Sequence, residues 1–396
     1  MKSPTVLMLS AAYPPRAGGV ATHVANLVHG LAASGCRVHV VASREGTDKP
    51  GRHYRHNRIS FWKLDQVNVP NFSGRRAPLG DVIARCLEEW ETRRPDIIHA
   101  HDLDSVHIGG VLKANFKIPL VATVHRAATS WKVAKNVENE KDAFLEAMRI
   151  YKLADRLVVP SRASEEVLRA QGFSKRIISV VPHGLMLGHL ASVCNHERVL
   201  RGLHIGNRQL ILCPVRAEHH KDPLTFVRAA VALHNKDMRG RLLYLMTCSD
   251  SDPEYADVLA LARAGGLRIG RDIIFRPFAL NEMATLYRRS AACVIPSRRE
   301  SFGQTVIEAF VYRTPVIAAN AAALRELIVH SKTGLHFTDG DADDLARQIR
   351  RVLNQKRFAA TLVENGLAQA HAAHDAPRMV RRYLALYRRQ LQSRPL

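Results

Sequence analysis

ACVIPSRRESFGQTVIEAFVYRTPVIA, residues 292–318, holds a strand, a turn, a helix and a second strand in one short segment. Residues 292–296 are a continuous apolar run, the pattern of a parallel strand covered on both faces. The glycine at 303 allows a tight backbone turn, and Gln304 to about Tyr312 then reads as a helix. Residues 315–318 begin the next strand. Two strands joined through a helix run parallel, and the crossover is right-handed.

The same unit recurs outward in both directions. Strands are expected at 5–10, 37–42, 96–100, 120–124, 156–160 and 177–181, then at 209–214, 241–247 and 273–276. Helices are expected at 20–34, 79–94, 161–171 and 341–354; the first three are closed by Gly35, Pro95 and Gly172. This alternation means an α/β fold of doubly wound parallel sheets. It breaks between about 186 and 208, where a polar, glycine-containing stretch carries no clear strand. The expected organisation is therefore a domain at 1–188, a linker at 189–207, a second domain at 208–375 and a closing helical segment at 376–396. In such sheets ligands bind at the carboxyl ends of the strands.

Composition narrows the class. The chain has 396 residues, 46% hydrophobic and 24% charged, which is a globular composition. No uncharged apolar run approaches the ~18 residues of a membrane span. The N-terminus reads as a strand and a turn at Pro14-Pro15 rather than a secretory leader, so a cytoplasmic protein is expected. The net charge of +22 invites a polyanionic partner. Yet 44 of the 58 basic residues are Arg, and the excess is spread evenly, +10 before residue 185 and +12 after it. No nucleic-acid recognition motif accompanies it, so nucleic acid is not the expected partner. Six cysteines lie far apart without a C-x-x-C, as reduced thiols do. Neither His99-x-His101 nor His219-His220 gathers three ligands, so no metal is expected.

The segment Glu300-Ser-Phe-Gly-Gln-Thr-Val-Ile-Glu308 carries the chemistry. The helix start after Gly303 would turn free N–H groups towards a diphosphate at the strand's carboxyl edge. Glu300 in the loop and Glu308 one turn inside the helix flank the same place, and carboxylates accept hydrogen bonds from vicinal hydroxyls. With Thr314-Pro315-Val316-Ile317-Ala318, this stretch resembles the E-x7-E signature of the family-4 retaining glycosyltransferases. Further ordered matches are Gly18-Gly19-Val20-Ala21-Thr22-His23-Val24, His99-Ala100-His101-Asp102 and Thr123-Val124-His125. They continue through Val181-Pro182-His183-Gly184, Pro214-Val215-Arg216 with Lys221, Thr333-Gly334-Leu335 and Gly340-Asp341.

The resemblance implies a GT-B fold, two Rossmann-like domains facing across a cleft that closes to exclude water. It implies a nucleotide-sugar as co-substrate, UDP-linked before GDP-linked, with no further cofactor and no metal. Arg216 and Lys221 would neutralise the leaving diphosphate, Glu308 would take the ribose hydroxyls, and Glu300 the donor-sugar hydroxyls. Ser301, Phe302, Gly303, Gln304 and Thr305 would line the phosphates, Gly18 and Gly19 would admit phosphate or acceptor, and His125 would face the sugar near the reacting carbon. His23 and His183 stand open between packing and contact. Retention would follow a front-face route in which the leaving phosphate oxygen helps deprotonate the acceptor.

The pattern departs from the family at four places: Lys221-Asp222-Pro223 for Lys-Gly, Arg313 for a glycine, Ala321-Ala322-Ala323 for Gly-Gly, and His183 for Asn. A disaccharide phosphorylase on the same fold stands as the rival enzyme, and a polyanion-binding protein as the rival from another class. Two basic segments are unassigned. Residues 52–76 interleave Tyr54, Phe61, Trp62 and Phe72 with basic residues, as a loop gripping an anionic acceptor or a membrane surface would, or as a plain surface loop. From Ala376 onward, Met379, Val380, Tyr383, Tyr387 and Leu391 recur at helical spacing opposite Arg381, Arg382, Arg388 and Arg389. The resemblance implies that this helix returns to the N-terminal domain; its Arg face is solvated or peripheral to a membrane. Monomer and homodimer both remain open.

Overall fold

The computed structural model describes residues 3–14, 18–43, 52–56, 58–64, 94–125, 140–187, 196–236, 238–321 and 323–393. The chain divides into two compact units, Met1–Leu185 with Ala376–Leu396, and Met186–Asp375. Among the described residues no helix is long and apolar enough to cross a membrane. The expected helix at 79–94 lies outside the described residues except for Arg94, which is not helical.

The first unit is built on β1 (Thr5–Ser10), β2 (Arg37–Ser43), β3 (Arg52–His56), β4 (Ile59–Leu64), β5 (Ile97–Ala100), β6 (Leu120–Thr123), β7 (Arg156–Val159) and β8 (Ile178–Val180). Their order is β3-β4-β2-β1-β5-β6-β7-β8. Every neighbouring pair is parallel except β3 and β4, which pair antiparallel with Tyr54 opposite Phe61. Strand β1 shows why these strands are apolar throughout. Val6 and Met8 join one core with Val24, Leu27 and Leu31 of the helix Gly19–Ala33, while Leu7 and Leu9 join another with Ile108 and Leu112.

The loop expected at 52–76 is corrected in its first part, where the chain forms the edge hairpin β3–β4. Its strand Arg-His-Tyr-Arg-His carries no apolar run because an edge strand tolerates charge along its length. Phe61 is buried against Tyr13 at a ring distance of 4.9 Å. Residues 65–76 lie outside the described residues.

The helix Ala376–Gln392 belongs to this first unit. Met379, Val380, Tyr383 and Tyr387 are buried in its core, and Arg381, Arg382, Arg388 and Arg389 are exposed. It lies so close to the helix Gly19–Ala33 that a Cβ at Gly30 would stand 2.3 Å from Val380 Cγ2.

The second unit holds β9 (Gln209–Cys213), β10 (Leu242–Met246), β11 (Ile273–Phe275), β12 (Ser290–Ile295), β13 (Val316–Ala319) and β14 (Leu335–Phe337), all parallel. The order is β11-β10-β9-β12-β13-β14, so the chain reverses its winding between β9 and β12. In the first unit the corresponding reversal is between β1 and β5. Loops at the carboxyl ends of those strand pairs part from each other and leave a crevice in each sheet.

Candidate functional site

In the second unit, the crevice lies between the loop after β9 and the loop after β12. Residues 214–222 leave β9, make the short 3-10 turn His219–Lys221, and enter the helix Pro223–Lys236. The loop after β12 is stapled to them, since the amides of Arg298 and Arg299 donate to the His220 carbonyl at 3.1 and 3.3 Å. This brings together the residues expected to act as a set. Lys221 Nζ donates to Glu300 Oε1, with both side chains largely buried. Arg216 is the outlying member, 65% exposed and paired to Glu218 at 2.5 Å.

Asp222, standing where the resemblance places a glycine, holds the left-handed conformation with φ 47° and ψ 54°. Its carboxylate repays that conformation by accepting from Thr225 Oγ1 at 2.7 Å and from Arg298 Nε at 2.9 Å. Pro223 follows at the first helical position, where a missing N–H costs nothing.

Gly303 caps the helix Gln304–Val311 at φ 93°, and no side chain caps that helix and no acid sits in its first turn. A Cβ at Gly303 would stand 2.9 Å from Leu324 Cδ2, so both conformation and space require glycine here. Glu308, one turn inside, accepts from Tyr287 Oη at 2.9 Å and from Gln304 Nε2 at 3.2 Å. Burial pushes its carboxyl above the usual range, and those two hydrogen bonds pull it back part of the way. Phe302 is buried edge-on to His374 at 5.6 Å, so it packs under the loop. Ser301 and Thr305 are half-buried in the same turn.

Sequence reasoning did not find Tyr287, Asp222 or Arg298. Asp222 had a signal, because it replaces a glycine; Tyr287 had none, because its contact depends on how the helix Leu280–Arg289 meets Gln304–Val311.

The first unit places His125 just past β6, and around it a group of imidazoles. His101 Nδ1 lies 3.0 Å from His125 Nε2, and His101 Nε2 lies 2.9 Å from Met8 Sδ. His99 is fixed on both sides, by Tyr387 Oη at 2.6 Å and Thr123 Oγ1 at 2.7 Å. His23, from the helix Gly19–Ala33, lies tilted against His183 with ring centroids 4.1 Å apart and reaches Tyr383 Oη at 3.4 Å. Burial pushes His99 and His125 down to about 3 and lowers His23 and His101 as well, the neighbouring imidazoles adding to the effect for His23, His99 and His101. All four rings are therefore neutral at pH 7.

Gly18 and Gly19 start the helix, Gly18 at φ 135°, and both are exposed. Asp102 organises the crevice: Oδ2 accepts from the Ala11 amide at 2.6 Å, and Oδ1 caps the helix Leu103–Phe116 through Ser105 at 2.9 Å. The spacing of histidines in the sequence, which showed no three-ligand set, missed this cluster, since His23, His101 and His125 come from three separate elements. The cysteines are plainer. Cys36, Cys213, Cys248 and Cys293 are buried free thiols, and burial pushes Cys36 up to about 11 and Cys248 up to about 12.

Residues 17–187 match the model of Glycosyltransferase Family 4, and residues 201–369 match that of Glycosyl transferases group 1. A D-inositol 3-phosphate glycosyltransferase of Streptosporangium roseum is 26% identical over 376 residues, covering 90% of this chain and 85% of the relative. An uncharacterized glycosyltransferase of Methanocaldococcus jannaschii is 22% identical, with 97% of each chain covered. Among solved structures, sucrose-phosphate synthase from Thermosynechococcus elongatus superposes with a TM-score of 0.79 at 22% identity, covering 98% of this chain and all of that one. Anabaena HepE in complex with UDP and glucose gives 0.77 at 16% identity, with 98% and 100% covered.

Proposed function

Because the chain belongs to the family-4, group 1 glycosyltransferases and has their GT-B fold, we propose that it transfers a sugar from a UDP-linked donor to an acceptor hydroxyl, with retention and without a metal at the diphosphate. The observation that carries this reading is the pairing of Lys221 with Glu300 of the loop that leads into the helix bearing Glu308, where the second sheet reverses its winding. A cation, an uncapped helix start and two carboxylates are what a diphosphate flanked by two hydroxylated rings needs. The UDP and glucose bound by HepE support the choice of base.

In the free protein Lys221 is held by Glu300. Donor entry exchanges both partners at once: the ammonium turns to the diphosphate, and the carboxylate turns to the sugar hydroxyls. Arg216, exposed and paired to Glu218, adds a second positive charge as the leaving group gains negative charge. Glu308 takes the ribose hydroxyls, oriented by Tyr287. The relatives named for inositol 3-phosphate and for sucrose-phosphate favour a phosphorylated polyol or sugar as acceptor.

The test is a thermal-shift series with UDP-, GDP-, ADP- and dTDP-glucose on the full chain. At a hundred times its Kd a donor adds about 2.7 kcal/mol, or roughly 5–10 °C for a unit of this size. UDP-glucose should give the largest shift, undiminished by EDTA, and Lys221→Ala and Glu308→Ala should lose it together with UDP release in the presence of acceptor. Wild-type shifts in both variants would refute the assignment. The anomeric configuration of the product, read by NMR, decides retention.

A further inference from the structure

One ring nitrogen from each of His23, His101 and His125 lies within 4.8 Å of the other two, and nothing in the transfer reaction calls for three imidazoles in mutual contact. His101 and His125 face each other nitrogen to nitrogen at 3.0 Å. Two imidazoles so placed share one proton or hold one ion, and tetrahedral zinc with bonds of about 2.0–2.1 Å would set the two nitrogens ~3.4 Å apart. That pair needs to open by a few tenths of an ångström, and the His23 nitrogen, within 4.8 Å of both, has to close on the ion. His23 and His125 each keep a buried Nδ1 with no hydrogen-bond partner among the described residues. A buried nitrogen without a partner is costly, and an ion between the three rings would give His23 Nδ1 one.

Two of the three rings also have a partner at the second nitrogen. Metal-ligating histidines use their other nitrogen to fix the ring, and here His101 Nε2 faces Met8 Sδ while His23 Nε2 faces the Tyr383 hydroxyl.

We propose that His23, His101 and His125 form a binding site for a first-row transition-metal ion of the zinc class. Three neutral imidazoles and no carboxylate suit zinc, cobalt, nickel or copper rather than magnesium or calcium. They leave a fourth position for water or a ligand oxygen, and the half-buried His125 gives the ion a way in. This site is independent of the diphosphate crevice and does not rest on the transfer reading.

The full chain, freed of metal with EDTA and dialysed, is titrated with Co2+ and followed by visible absorption. The expected result is a ligand-field band that saturates at one equivalent and is displaced by Zn2+. His101→Gln and His125→Ala should each weaken Co2+ binding at least a hundredfold. The double variant His219→Ala, His220→Ala, which removes two adjacent histidines of the second unit, should leave it unchanged. If His101→Gln does not fold, His125→Ala decides, since its ring is only half-buried. Absence of the band at one equivalent, or a band that survives His125→Ala, overturns the proposal. Neither readout uses a sugar donor, so failure here is separate from failure of the transfer reading.

Discussion

Arg313 sits in a position built for glycine, and replacing it measures what that costs. It follows Tyr312, the C-cap of the helix Gln304–Val311, and holds φ 59°. The amide of Arg313 donates to the Phe310 carbonyl at 3.1 Å and that of Thr314 to Ala309 at 2.9 Å, the paired closure that selects glycine at this site. A Cβ in that conformation costs about 1–2 kcal/mol. The arginine recovers part of it through Glu364 at 2.7 Å, but those side chains are 58% and 61% exposed. An exposed pair is worth only about 0–1 kcal/mol.

Two variants separate the contributions. Arg313→Ala keeps the strain and loses the pair, so it should fall below the parent by at most about 1 kcal/mol. Arg313→Gly loses the pair and sheds the strain, while glycine's freedom in the unfolded chain takes back about 0.4–1 kcal/mol. The glycine variant should therefore exceed the alanine variant by about 0.5–1 kcal/mol, roughly 1–4 °C in the second unit's transition. Calorimetry is the assay, because the three tryptophans at 62, 90 and 131 all belong to the first unit's sequence. A glycine variant no more stable than the alanine variant would show that residue 313 is not strained in solution.

Three further outcomes follow from the same geometry. Gly303→Ala combines positive φ with a Cβ 2.9 Å from Leu324 Cδ2, and should cost about 2 kcal/mol and weaken UDP binding, both readable by calorimetry with and without UDP. Because burial raises the Glu308 carboxyl above its ordinary value and the Tyr287 hydrogen bond lowers it, the ionised acceptor should be lost on acidification at a higher pH than for an ordinary glutamate. UDP affinity measured against pH should fall there, and Tyr287→Phe should move the fall to still higher pH; an unmoved profile would rule out control by Glu308. Gly30→Ala puts a Cβ 2.3 Å from Val380 Cγ2 and should destabilise the first unit by about 1–3 kcal/mol, an effect that chemical denaturation followed by tryptophan fluorescence would detect.

The sequence was most legible where both faces of a strand are covered. Residues 5–10 and 209–213 read directly as strands because their apolar side chains are buried on both faces, and in 5–10 alternate side chains feed separate cores. Neither β3, which is charged along its length, nor β14, which has only three residues, was legible in it. At the site, Glu300, Lys221 and Glu308 were readable because they stand in short motifs next to strand ends. The imidazole cluster was not, since His23 comes from a helix and His101 and His125 from two different strand ends. Only the sheet order, with β5 beside both β1 and β6, brings them into contact.

The two departures from glycine, Asp222 and Arg313, show how a substitution at a left-handed position can mean different things. Both keep the backbone conformation that the glycine would have adopted. Arg313 answers its strain with one exposed ion pair, which solvent weakens. Asp222 answers it with a buried carboxylate that holds Thr225 in the helix behind and Arg298 in the loop after β12. Arg298 also lies 3.8 Å from Asp339, and its own amide is bonded to His220. A glycine at 222 would preserve the turn but release the Arg298 side chain, and with it one of the ties between the loop bearing Lys221 and the loop bearing Glu300. The aspartate thus does something at this position that a glycine cannot: it converts a conformational requirement into a cross-brace between the two loops whose pairing defines the crevice.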